Sequence, residues 1–494
     1  MKESLDDELH EECGVVAIYA TSGNISDLIY LGMQGIQHRG ELGCGMATSY
    51  QNEIYFYKDI GLVGDVFQPK ILNNLKGSKG IGHTRYATTS VNEFENKEEA
   101  VKKLHPMIGQ LIDNSSFAVE FNGNLTNYNS LKKQLRDYNF ETSTDTEVIK
   151  NLIIDEYAKE KSLNKSLENI YNKMQGAYNI IVMDNNGNIY ALKDGHGFKP
   201  LSIGKLQNSK GYIISSETRS MEFIDAEFLR DINPGELIEI KNNKIDSLQL
   251  PPKRKAICPL EYVYFASIDS IIEGKTVNDT RVRCGKTLYR EQPLNLTELE
   301  KKDWRIFGVP DSGMPAATAY SNESGIKIRI GMARNRYYYK RTFINGNPND
   351  RKKASKLNSE KYIIIKSAVE GKNIILIDDT IVRGTTTKSN VTRLREAGAK
   401  SVHVKVTFPG IIDPCYMGID FPTHKELLSY NRSLEEICKE IGADSVQFIS
   451  KEGLIRAINK IPDDQSIDLS TSGICLACTN NDYPCPVENE LKLD

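Results

Sequence analysis

The order of elements along the chain predicts an α+β half of stacked sheets and helices, followed by an α/β half built on a parallel sheet. Three observations carry that reading. With 494 residues the chain is too long for one hydrophobic core, so two cores are expected. Up to about Glu239, short strand-like runs separated by Gly and Asn turns are interleaved with amphipathic stretches such as Asp145 to Tyr157 and Ser166 to Gln175. Beyond Pro251-Pro252-Lys253-Arg254-Lys255 the order becomes strand, turn, helix, strand, which implies parallel pairing through right-handed crossovers.

Met1 to Glu12 is polar and acidic, and Cys13-Gly14 then opens the apolar run Val15-Val16-Ala17-Ile18-Tyr19-Ala20, read as a leader followed by a buried strand. The proline and charge after Leu250 mark a boundary. The expected organisation is a leader at 1–12, a first domain at 13–250, a linker at 251–259, a second domain at 260–450 and a cysteine-containing tail at 451–494. In the second domain the clearest unit starts at Asn373. Ile374-Ile375-Leu376-Ile377 suits a strand covered on both faces and ends in Asp378-Asp379. From Thr386, apolar Val391, Leu394 and Ala397 share one helical face, Gly398 offers a C-terminal cap, and Val402, Val404 and Val406 alternate as the next strand. Arg305 to Pro310, Asp311-Ser312-Gly313 and the alanine-rich run to Tyr320 form a weaker copy of this βαβ pattern.

Composition excludes several functions. Lys and Arg number 63 against 66 Asp and Glu, a net charge of −3, so no global field favours nucleic acid or an anionic membrane. No run is long and apolar enough to cross a bilayer, and the acidic first residues do not read as a secretion signal. Nine scattered cysteines without an export signal suggest thiols or metal ligands in a reducing cytoplasm rather than a disulfide framework.

Two groups of residues carry chemistry. Ile381-Val382-Arg383-Gly384-Thr385-Thr386-Thr387 lies between strand and helix, where backbone N–H groups, hydroxyls and the helix dipole favour a phosphate. Asp378 and Asp379 repel phosphate but can accept hydrogen bonds from sugar hydroxyls or hold magnesium; a capped helix with two solvated aspartates is the plain alternative. In the first half, Cys13 is either a small core hydrophobe or a nucleophile. The neighbours it would need are present: Gly82 to Thr88 offers Arg85 for a carboxylate, Asn122-Gly123 offers donors for an oxyanion, and Thr144-Asp145-Thr146-Glu147 offers a carboxylate for an α-amino group. A surface ion pair for Arg85 and a helix N-cap for Asp145 are the bland readings.

The run from Ile374 to Thr387 resembles the signature of type I phosphoribosyltransferases, whose fold is a parallel sheet with helices on both sides and a mobile hood. The resemblance implies that Asp378 and Asp379 contact ribose hydroxyls and magnesium, and that Thr380, Arg383, Gly384, Thr385, Thr386 and Thr387 wrap the 5-phosphate. It further implies that Asp311-Ser312-Gly313 is the pyrophosphate-side loop, with Ser312 in the magnesium shell. The first half resembles class II glutamine amidotransferases, a branch of the N-terminal nucleophile hydrolases with an αββα sandwich. That resemblance implies loss of Met1 to Glu12, a free α-amine on Cys13 that activates its own thiol, Arg85 and Asp145 on glutamine, and Asn122 with the Gly123 N–H as oxyanion donors.

Together the halves resemble the amidophosphoribosyltransferase family, through Gln37-His38-Arg39-Gly40, Gly82 to Thr88, Asn122-Gly123-Asn124-Leu125, Asn335-Arg336-Tyr337, Arg341-Thr342-Phe343-Ile344 and Ile374 to Thr387, in matching order. Glutamine and phosphoribosyl pyrophosphate are the implied substrates, with nucleotides as feedback inhibitors and a homo-oligomer as the expected assembly. A paralogue delivering ammonia to another phosphoribosyl reaction, and a sensor of phosphoribosyl pyrophosphate, are the alternatives. Glu41-Leu42, Phe121 in place of the family's usual histidine, and Phe198-Lys199 depart from the pattern. In the iron-sulfur subgroup the ligands occupy the contexts of Cys258, Cys415, Cys475 and Cys478, implying a four-iron four-sulfur cluster, with zinc on the same thiolates as the rival. Cys44, Cys284, Cys438 and Cys485 are read as packing or surface residues. The basic, tyrosine-rich segment from Arg334 to Lys356 is expected to be a lid that closes over phosphoribosyl pyrophosphate, with Arg341 among its contacts.

Overall fold

The computed structural model describes residues 13–86, 96–207, 210–335, 361–419, 421 and 423–492. The leader, Arg341 and most of the expected lid lie outside the described residues.

Among the described residues the first half holds thirteen strands: β1 (Gly14–Ala20), β2 (Gly43–Tyr50), β3 (Glu53–Ile60), β4 (Lys79–Arg85), β5 (Met107–Gln110), β6 (Ser116–Leu125), β7 (Gly176–Asp184), β8 (Ile189–Lys193), β9 (Ser202–Leu206), β10 (Gly211–Ser215), β11 (Ala226–Asp231), β12 (Glu236–Lys241) and β13 (Lys244–Gln249). They form two antiparallel sheets, ordered β11-β9-β10-β1-β4-β2-β3 and β13-β12-β8-β7-β6-β5. Alternation along β1 shows how the sheets stack. Val15, Ala17 and Tyr19 face the second sheet and meet Ala118 and Ile181, whereas Val16 and Ile18 face Ile29 and Met33 of the Ser26–Gly35 helix. On the far side, Phe117, Val119 and Phe121 of β6 pack on Val148 and Leu152 of the Asp145–Glu160 helix and on Leu167 and Ile170 of the Leu163–Lys173 helix. The layers therefore run helix, sheet, sheet, helix, as expected.

The second half adds β14 (Ile271–Ile272), β15 (Lys275–Thr276), β16 (Trp304–Gly308), β17 (Met332–Arg334), β18 (Tyr362–Ile364), β19 (Asn373–Asp378), β20 (Ser401–Val406) and β21 (Ser445–Phe448). Four of them form a parallel sheet, ordered β16-β19-β20-β21. Ile375 and Ile377 of β19 face a core built with Leu288 and Tyr320, and Ile374 and Leu376 face one built with Val391 and Leu394. Helices Val277–Glu291 and Met314–Ser324 thus cover one face and Thr385–Glu396 the other, the two-sided burial that the unbroken apolar run foretells. Gly398, at φ +94°, follows the C-cap of that last helix in the left-handed conformation glycine tolerates best.

Several contacts tie the halves together, and the most buried of them centres on Arg39. Arg39 is fully buried and bonds Glu217 of the first half at 2.6 Å and Glu261 of the second at 2.8 and 3.0 Å. Burial opposes ionisation of Glu217, but His38 and Arg39 outweigh it and hold the carboxyl well below the usual range. The tail returns to the linker: Ile474 bridges Ile257 in parallel, with the Cys475 N–H donating to the Ile257 carbonyl at 2.9 Å.

Candidate active sites

The first site forms where β1 begins. Cys13 is half-buried, and the antiparallel register Gly14↔Thr84 sets it beside Arg85. The backbone of the Gln37–Gly40 turn presses on this place: a Cβ on Gly40 would lie 2.6 Å from the backbone carbons of Thr84 and Arg85, which explains a glycine in that motif. Burial pushes the Cys13 thiol pKa up, while Arg85, the Tyr86 N–H and Lys199 pull it down; the balance leaves it raised. The thiol therefore needs a base. Arg85 is 8% exposed and donates to the Lys103 carbonyl, so it is not the surface ion pair of the bland reading.

β6 brings Asn122 and Gly123. Asn122 is buried, and neither its amide oxygen nor its amide nitrogen finds a hydrogen bond among the described residues. An enclosed polar group with no partner is costly unless a ligand supplies one. At Gly123 a Cβ would stand 2.0 Å from the Ala177 carbonyl oxygen, so only glycine permits this approach of β6 to β7. Asp145 opens the Asp145–Glu160 helix, but Thr144 caps it by accepting the Glu147 N–H. The cap reading for Asp145 is thus replaced: its carboxylate accepts the Leu125 N–H at 3.1 Å, and burial raises its pKa to about 7.

The second site lies at the carboxyl end of the parallel sheet. Asp378 and Asp379 are buried, the Asp379 N–H donates to Asp378 at 3.0 Å, and Asp379 accepts from Thr380 Oγ1 at 2.7 Å and from the Ser312 hydroxyl. The Ser312 contact joins the two loops that the sequence separates. Asp311 turns outward instead and meets Arg334 at 3.3 Å. Gly384, at φ +83°, passes the chain into the Thr385–Glu396 helix, and a Cβ there would approach Leu428 to 2.8 Å. Thr385 is exposed, Thr386 intermediate and Thr387 buried, and Arg383 pairs with Glu426 at 3.1 Å.

Cys258, Cys415, Cys475 and Cys478 line one cavity with Phe198 and Phe408. Burial, with Cys415 adding to it, pushes the Cys475 thiol to about 12. Among the described residues no three His, Cys, Asp or Glu side chains gather closely enough to hold one metal ion. Cys44, Cys284 and Cys485 are buried and Cys438 half-buried.

Several polar residues around the sites were not singled out as site residues from the sequence. Lys199 is 1% exposed and close enough to lower the Cys13 pKa. Arg281 donates to the carbonyls of Tyr262, Tyr264 and Ala266 and, from across the second core, lowers the pKa of Asp379 against the larger effect of burial. Glu120, two residues before Asn122, is buried, and the Val16 N–H is near enough to lower its pKa against the larger effect of burial. Each acts across long sequence separations, which no local motif announces.

A glutamine amidotransferase domain is the class of protein defined here, and the family model of that description matches residues 98–222. The chain is 40% identical to the amidophosphoribosyltransferase of Methanocaldococcus jannaschii, over 97% of this chain and 98% of that one. It is 36% identical to the solved glutamine phosphoribosylpyrophosphate amidotransferase of Bacillus subtilis complexed with ADP and GMP, with a TM-score of 0.84 over 97% of this chain and 99% of that one. A solved structure described as the allosteric regulatory enzyme of purine biosynthesis matches with a TM-score of 0.85 at 35% identity, covering 97% of this chain and 98% of that one. The chain belongs to the amidophosphoribosyltransferase family.

Proposed function

We propose that this chain moves the amide nitrogen of glutamine onto phosphoribosyl pyrophosphate, giving phosphoribosylamine, glutamate and pyrophosphate, the first step of purine nucleotide synthesis. The observation that carries the reading is the buried amide of Asn122, unpartnered among the described residues, on the sheet stacked against the strand that Cys13 precedes, in a chain that also holds the Asp378 to Thr387 loop. Once Met1 to Glu12 is removed, the α-amine of Cys13, with a pKa of about 7.7–8.0, takes the thiol proton. The thiolate attacks the glutamine amide carbon while Arg85 holds the carboxylate and Asp145 the ammonium of the substrate. Asn122 and the Gly123 N–H receive the oxyanion. The Cys13 α-ammonium returns its proton to the amide nitrogen, which leaves as ammonia, and water then hydrolyses the thioester to release glutamate and Cys13. At the second site ammonia attacks the ribose C1 and pyrophosphate departs, with Thr380, Arg383, Gly384, Thr385, Thr386 and Thr387 on the 5-phosphate.

The oxygen donors of Ser312, Asp378 and Asp379 suit magnesium, and the Ser312–Asp379 contact draws them together. That ion supplies charge neutralisation at the leaving pyrophosphate. Four cysteines around one cavity suit a four-iron four-sulfur cluster, with zinc on the same thiolates as the rival. Cys258, Cys415, Cys475 and Cys478 would hold it, and it supplies a tie between linker, second domain and tail. Nucleotides are proposed as feedback inhibitors, since the B. subtilis relative was solved with ADP and GMP.

Glutamate and pyrophosphate release measured together test the reaction. Cys13→Ala should lose glutamine-dependent release of both while keeping pyrophosphate release with added ammonia. A wild-type chain that frees no glutamate overturns the reading, as does Met1 retained on fully active protein. Iron, sulfide and zinc analysis after oxygen-free purification decides the metal; stoichiometric zinc without iron overturns the cluster.

A further inference from the structure

Behind the first site stand two buried histidines that the reaction above does not use. His83 on β4 is fully enclosed and His105, just before β5, is 5% exposed; their ring centroids lie 4.2 Å apart. His83 Nε2 is 3.1 Å from the Phe121 carbonyl oxygen and 3.0 Å from His105 Nδ1, and His105 Nε2 is 2.6 Å from Thr146 Oγ1. One arrangement of protons satisfies all three contacts without charge. His83 carries its proton on Nε2, shared between the Phe121 carbonyl and His105 Nδ1, and His105 carries its own on Nε2 and donates to Thr146. Burial, reinforced by Arg85 and Lys58, lowers the His83 pKa to about 3 and that of His105 well below the usual range, so both imidazoles stay neutral.

Both ends of this chain of contacts adjoin a proposed glutamine contact. Phe121 precedes Asn122, Thr146 follows Asp145, and His83 lies two residues before Arg85 on the same strand. Phe121 offers only its carbonyl, because its ring belongs to the apolar core under the Asp145–Glu160 helix. The segment carrying His105 is itself fixed. Lys58 Nζ donates to the Leu104 carbonyl at 2.6 Å, and a Cβ on Gly45 would stand 2.0 Å from the His105 carbonyl oxygen, so β2 lies flat against it.

We propose that His105 is a positioning residue for the glutamine half-reaction. Through Thr146 it sets the start of the helix that carries Asp145; through His83 and the Phe121 carbonyl it sets the strand that carries Asn122. The first arm governs substrate binding and the second governs the transition state. This rests on the amidotransferase reading above.

Two conservative variants separate the arms, because the amide nitrogen of glutamine reaches about where the donor Nε2 stands and the amide oxygen of asparagine about where the acceptor Nδ1 stands. His105→Ala should cut glutamine-dependent kcat/KM about thirtyfold and leave ammonia-dependent pyrophosphate release within about twofold, which marks an intact fold. His105→Gln should recover KM for glutamine but not kcat, and His105→Asn should recover kcat but not KM. Parallel loss of both activities in all three variants overturns the inference, as does an identical KM and kcat pattern for the Gln and Asn forms. Wild-type protein that fails to hydrolyse glutamine sinks the amidotransferase reading itself, whereas an active wild type with an unaffected His105→Ala sinks only this inference.

Discussion

The first site is assembled from side chains enclosed between antiparallel strands, and the second from a loop at the open end of a parallel sheet. Cys13, Arg85, Asn122 and Asp145 come from four segments brought together by sheet pairing and by one helix start. Asp378 to Thr387 is a single continuous run, with Thr385 exposed and Ser312 recruited from a separate loop. A site between sheets is shaped before substrate arrives, because moving one contact would disturb several strands. A site on a loop is free to be completed by substrate and by neighbouring loops.

If the two sites are chemically separate, damage to one should spare the other. Asp379→Asn should lower ammonia-dependent pyrophosphate release by about 100-fold or more, while basal glutamine hydrolysis changes by less than about twofold. Parallel loss of both rates would break the separation.

The halves are nevertheless joined through Arg39. Arg39→Ala leaves Glu217 and Glu261 buried with like charge, and should cost about 3–5 kcal/mol in denaturant unfolding. The unfolding curve should also split into two transitions, and an unchanged midpoint would show that the halves do not depend on this contact.

Ionisation sharpens the contrast. Asp145, raised to about 7, must be charged to hold an ammonium, so KM for glutamine should rise roughly tenfold per pH unit below that value while the ammonia-dependent rate does not follow it. Asp145→Asn should give a high, pH-independent KM.

The smallest expected effect concerns Glu120. Burial raises its folded pKa well above the unfolded value, so its favourable contribution is complete at low pH and is lost as pH rises toward the folded pKa. Glu120→Gln should therefore stay nearest to wild type near pH 5 and melt progressively higher than wild type as the pH is raised to 8. No widening of the gap with pH would place a partner on that carboxylate.

The same contrast governs what could be read from the sequence. The βαβ unit at Asn373 was legible because its strand, loop, helix cap and next strand are consecutive, so periodicity and glycine placement sufficed. The first site was legible only through short motifs whose resemblance supplied the roles of Arg85, Asn122 and Asp145. His105, Lys199 and Arg281 carry no such local signal. Their partners are Thr146, Cys13 and the carbonyls of 262–266, and sheet pairing or domain packing makes those neighbours. The cap of the Asp145–Glu160 helix went to Thr144 because both residues are competent caps one position apart, and only the Leu125 N–H beside Asp145 decides between them.

The pairing of Ile474 with Ile257 has a consequence for synthesis. The first half leaves the ribosome early and can close its sandwich while the rest is still being made. The linker next to it then waits for nearly the whole remaining chain before its strand partner and two of its neighbouring thiols arrive. During that interval the apolar wall around Cys258 is exposed to solvent, so slow or interrupted translation past residue 450 should leave an aggregation-prone species whose glutamine-binding half is already folded.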